Sequence, residues 1–136
     1  MTLTEFLLAR IEEDETAAQD AEPGPWTLDR ESLPQAIIGA DGDPVIRAAK
    51  GERDWTFQTS EVAYHVVRHD PARVLTECEA KRRIVDYREQ CERDRDEAPR
   101  EARDLFAARL LAFDATLRAL ALPYAGHPDY DEAWRP

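Results

Sequence analysis

Asp70-Pro71 constrains this chain more than any other pair of residues, because it interrupts what would otherwise be one long helix. Proline has no N–H to donate, its ring clashes with the preceding turn, and it pushes the residue before it away from helical angles. The same proline fits the first position of a helix, and Asp is among the best N-caps. The stretch AYHVVRHDPARVL therefore reads as the end of a short helix over 60–69, opened by Thr59 or Ser60, and the start of a long helix over 70–97. In the long helix Val74, Cys78 and Val85 approximate one apolar stripe, with Leu75, Ile84 and Cys91 beside it. Glu77–Lys81, Glu79–Arg83 and Glu89–Arg93 are acid-to-base pairs at four residues, worth a few tenths of a kcal/mol each on an exposed face.

The remaining prolines divide the rest. Thr2 with Glu5 forms a capping box before an apolar stripe of Leu3, Leu7 and Ile11, flanked by Phe6 and Leu8. This predicts a helix over 1–22 with Glu12 to Glu15 on its solvent side, stopped by Pro23 and Pro25. Residues 26–59 change period: WTL alternates, two β-branched runs flank Asp41-Gly42 as a hairpin turn, and WTF at 55–57 offers a third strand. Pro44 places the returning strand at an edge or bulge. Pro99 opens a last helix over 99–122, in which Phe106, Leu110, Phe113, Leu117 and Leu120 repeat with spacings of 4, 3, 4 and 3. The short connection makes it antiparallel to the long helix. The tail, 123–136, is too aromatic to be a disordered end, so Tyr124, Tyr130 and Trp134 are expected to lie back on the body. The expected fold is α+β and mainly helical, in a single domain over 1–136: an N-terminal helix, a small antiparallel hairpin or meander, a long αα-hairpin and an ordered tail.

Charge narrows the function classes. Of 136 residues 35% are charged, the net charge is −11, and residues 1–45 hold eleven acids against two bases. Phosphate neutralisation needs the opposite balance, so nucleic acid is not an expected partner. No apolar run reaches the roughly 18 residues of a membrane span, and acids follow the first apolar segment too soon for a signal peptide. The expectation is a cytoplasmic protein with no membrane contact. Cys78 and Cys91, about 20 Å apart along one helix, cannot bridge each other and read as reduced thiols.

The strings MTLTEFLLARIEEDE, PGPW, HDPARVLTECEAKRRIVD and LALPYAGHPDYDEAWRP resemble a family of short uncharacterised proteins of actinobacteria and their phages. The resemblance covers about half of the chain. It implies a source and a compartment, and it supplies no catalytic residue.

Three chemical readings compete. His65 and His69 stand at i and i+4, a spacing that suits a metal ion, with Asp70 and the remote His127 as further candidate ligands. Against this, a zincin needs Glu where Val66 stands, Arg68 opposes a cation, and the Asp70-Pro71 break directly after His69 speaks against His69 sharing the helix of His65. Cys78 with a histidine forms a conceivable thiol–imidazole pair, but its context does not activate it. The preferred reading is therefore a non-enzymatic interaction or self-associating module, with no catalytic residue, no cofactor and no assigned metal ligand. Its partner is another protein or a second copy. The candidate contact residues are Glu12, Glu13 and Asp14 on the acidic first helix, and Phe106, Leu110, Phe113, Leu117 and Leu120 on the last. In one version a phage-related accessory factor turns its acidic helix to a basic host protein. In another that helix meets the basic ridge of Lys81, Arg82, Arg83 and Arg88.

Overall fold

A computed structural model describes residues 1–31, 36–47 and 60–136, excluding the side chains of Arg47 and Ser60. These residues form α1 (Leu3–Asp20), β1 (Thr27–Asp29), β2 (Ala36–Ile38), β3 (Pro44–Arg47), α2 (Ser60–Arg68), α3 (Pro71–Glu97) and α4 (Arg100–Ala121). Two short 3-10 turns follow, Leu122–Tyr124 and Glu132–Trp134. The fold is α+β and mainly helical. The strand expected at 55–57 and the capping role of Thr59 lie outside the described residues. The chain divides into two compact units, residues 14–77 and residues 1–13 with 78–136.

Among the described residues, the unit over 14–77 is built on a three-stranded antiparallel sheet in the order β1-β2-β3. Gly42 turns the β2–β3 hairpin at φ 88°, the left-handed region that costs glycine nothing, and Asp43 N–H donates to Asp41 Oδ1 at 3.0 Å. Pro44 opens β3 beside a register shift at Ile37/Ile38, the kind of irregular position where a strand tolerates a residue without an N–H. Ile37 and Ala63 are fully buried in this unit, and α2 packs against β1.

The other unit gathers the first turns of α1, most of α3, α4 and the tail. The capping box forms as expected: Thr2 N–H donates to Glu5 Oε2 at 2.7 Å, and Glu5 N–H to Thr2 Oγ1 at 3.2 Å. The Thr2 backbone N–H, with the Thr2 side chain, holds the Glu5 carboxyl below its ordinary pKa. Helices α3 and α4 run antiparallel, as Arg88 Nε donates to Asp114 Oδ1 at 3.0 Å and Cys91 Sγ sits 3.8 Å from the Phe106 carbonyl. The Asp114 carboxylate, with Glu92 at 2.6 Å, pushes the Arg88 guanidinium further above its ordinary pKa. Phe6, Leu7, Val85, Leu117 and Ala121 form the core, and Tyr124, Tyr130 and Trp134 pack against it. Phe6 is the hub of the tail: the Trp134 ring lies 5.0 Å from its centroid and the Tyr130 ring 5.9 Å, both within the range of favourable aromatic pairs. The aromatic tail thus lies back on the body.

Candidate functional site

The joint between α2 and α3 is built around Asp70. Its side chain is buried, Oδ1 accepts from Arg73 N–H at 2.9 Å as a helix cap, and Oδ2 accepts from Trp26 N–H at 2.8 Å. Gly24 lies so close that a Cβ there would meet Ala72 Cβ at 2.8 Å and Asp70 Oδ2 at 2.9 Å. The PGPW string is therefore the half of this joint that receives Asp70. His65 and His69 stand on its outer side, both exposed, with ring centroids 4.4 Å apart. His69 falls one residue past the end of α2 yet keeps its ring beside that of His65. His127 belongs to the other unit and packs on Arg10. Among the described residues, no group of three or more His, Cys, Asp or Glu side chains is placed to share an ion.

Arg10 is the residue that pattern reading missed. It is only 7% exposed, its NH1 lies 2.8 Å from His127 Nδ1, and its NH2 donates to Glu13 Oε1 at 2.6 Å. The guanidinium also lies over the Phe6 ring at 5.2 Å. The available signal was positional: residue 10 continues the 3, 6, 7, 11 stripe, so a long polar side chain there had to be buried or the stripe broken. The candidate contact acids divide: Glu12 and Glu13 are exposed, with Glu13 held by Arg10, whereas Asp14 is half-buried.

On α4 the five candidate contact residues face inward. Leu110 and Leu117 are buried, and Phe106, Phe113 and Leu120 are half-buried. Outward, α4 carries a second stripe: Ala108, Ala112, Ala115 and Ala119 are all exposed, with Leu111 (73% exposed) and Leu105 (57%) beside them. This outer face runs into a groove of about 510 Å³ between α3 and α4, where Tyr87, Cys91, Phe113 and Arg109 meet Ala112 and Thr116. Tyr87 stands 62% exposed at its rim. Cys91 and Cys78 are buried thiols.

A family model described as "Family of unknown function (DUF6221)" matches residues 1–136. The chain belongs to the DUF6221 family. No curated protein and no solved structure matches it. Among the described residues of this DUF6221 chain, no helix is long and apolar enough to cross a membrane.

Proposed function

We propose that this DUF6221 chain is a non-enzymatic, self-associating module whose α4 outer faces pack against each other across a two-fold axis. The observation that supports the reading is the uncharged stripe of Leu105, Ala108, Leu111, Ala112, Ala115, Thr116, Ala119 and Leu122, all exposed on a chain that is 35% charged. Leu105 and Leu111 leave most of their surface in water in the lone chain, and each Å² that a partner covers contributes roughly 25 cal/mol before the costs of association.

Two features favour a second copy as the partner. Each copy carries a net charge of −11, so two copies approach with least repulsion along a stripe that carries no charged side chain of its own. The stripe also reads alike in both directions, with spacings of 3, 3, 1, 3, 1, 3 and 3. An antiparallel two-fold contact centred between Phe113 and Asp114 then brings Ala108 to the level of the other copy's Ala119 and Ala112 to that of its Ala115, small residue against small residue. Alanines at the crossing let two helices approach at the short end of the usual 8–10 Å interaxial range.

Solution mass tests the reading. Light scattering is expected to give twice the 15.5 kDa chain mass for the wild type, and the chain mass for a Leu111→Glu/Ala115→Glu variant. Both positions are exposed, so circular dichroism should be unchanged in the variant. A wild type that stays at the mass of one chain at every concentration sinks the proposal.

A further inference from the structure

His65 and His69 are not used by the self-association reading. His65 lies in the last turn of α2 and His69 one residue beyond its end, and both are exposed. Their rings stand 4.4 Å apart between centroids, tilted by 39°. His69 Nδ1 lies 2.8 Å from the His65 carbonyl oxygen. A carbonyl only accepts, so Nδ1 carries the proton, and Nε2 of the neutral ring keeps its lone pair. Metal-ligating histidines characteristically give their second N–H to a carboxylate or a backbone carbonyl, which fixes the tautomer and the ring together. The contact thus leaves Nε2 as the nitrogen of the neutral His69 ring that would meet a metal ion.

The backbone behind the pair is held on several sides. His69 N–H donates to the Val66 carbonyl at 3.1 Å, and the next residue, Asp70, is clamped by Trp26 and Arg73. Because both Asp70 oxygens receive backbone N–H groups, its carboxylate belongs to the joint and is not counted as a ligand.

We infer that His65 and His69 form an open two-imidazole site for a divalent first-row transition ion, with water completing the coordination. Two neutral nitrogen donors suit Zn²⁺, Ni²⁺ or Cu²⁺ and do not suit Mg²⁺ or Ca²⁺, which prefer oxygen. With two protein donors the site is not a closed structural cage, which takes four. Its charged neighbours in sequence are Glu61, one turn ahead of His65, and Arg68. Arg73 also lies nearby, with its Nε donating to Glu77 Oε1 at 2.6 Å and its NH1 to the Arg68 carbonyl at 3.2 Å. Fixing two imidazoles side by side gives the second one a high effective concentration once the first has bound. A bound ion would tie the last turn of α2 to the joint that Asp70 holds from the other side.

The test is calorimetric titration of Ni²⁺ into the metal-stripped full chain, with imidazole proton signals followed by NMR at substoichiometric Ni²⁺. One ion per chain is expected. The signals of His65 and His69 should broaden while that of His127 stays sharp, and Mg²⁺ should have no effect. His65→Ala and His69→Ala should each weaken binding by about a hundredfold, the loss that follows when a tethered pair becomes one donor. His127→Ala should leave binding unchanged. His65→Ala alone decides the matter if His69→Ala loosens the joint. Absence of Ni²⁺ uptake by the wild type, undiminished uptake by a His65→Ala/His69→Ala variant, or broadening confined to His127 would overturn the assignment.

Discussion

At the scale of single residues, Asp70 ties the PGPW segment to the first turn of α3. Its backbone carbonyl accepts from Val74 N–H at 3.1 Å, one carboxylate oxygen caps α3, and the other receives an N–H from a residue 44 positions earlier. Asp70→Ala removes the cap and leaves the Trp26 N–H without this partner. The expected cost is about 2–3 kcal/mol, the cap contributing about 1 and the stranded donor about 1–2. Asp70→Asn retains one acceptor oxygen and is expected to lose about half as much. Gly24→Ala acts on the same joint from the opposite wall, where the new methyl meets Ala72 backbone nitrogen at 2.9 Å as well as its Cβ, and overpacking of that kind costs about 1–3 kcal/mol. Urea unfolding of the three variants checks this, and an Asp70→Ala protein as stable as the wild type would show that the joint contributes little.

At the scale of elements, the tail is held by ring packing on Phe6 and by Arg118, whose NH1 donates to the Ala133 carbonyl at 2.7 Å. Trp134 is half-buried and packs on both Phe6 and Tyr130, so Trp134→Ala should cost about 2–4 kcal/mol, slightly below the range for a fully buried aromatic. Thermal unfolding measures the loss, and an unchanged midpoint would mean that the tail is not part of the cooperative core. Elements bounded by prolines and caps were legible in the sequence because those residues act locally: Thr2 with Glu5, Asp41-Gly42 and Asp70-Pro71 each specify a conformation within four residues. Two features were not legible. Local patterning says little about Arg10, because burial of a guanidinium depends on partners such as His127, 117 positions away. The outer stripe of α4 was hidden because alanine is the best helix former on any face, so Ala108, Ala112, Ala115 and Ala119 carry no signal of exposure or contact. Leu105 and Leu111 are the part of it that apolar patterning marks, beside the stronger 4-3-4-3 rhythm on the other face.

At the scale of the whole molecule, the two versions of an interaction role respond to salt in opposite senses. Packing of α4 on α4 brings together two chains of charge −11 through a stripe that carries no charged side chain of its own. The apolar contact favours that association, and long-range repulsion between the acidic surfaces opposes it. Raising ionic strength from about 0.01 M to 0.1 M shortens the Debye length from about 30 Å to about 10 Å, which removes most of the repulsion and leaves the apolar term. The dimer fraction at fixed protein concentration is therefore expected to rise with salt. Docking of Glu12, Glu13 and Asp14 on the basic ridge of another copy, or on a basic partner, would be driven by attraction between opposite charges, and the same change would weaken it. Sedimentation across that range distinguishes the two without any substitution. Association that falls as salt rises would move the contact from the alanine stripe to the acidic end of α1, and Leu111→Glu would then leave the mass unchanged.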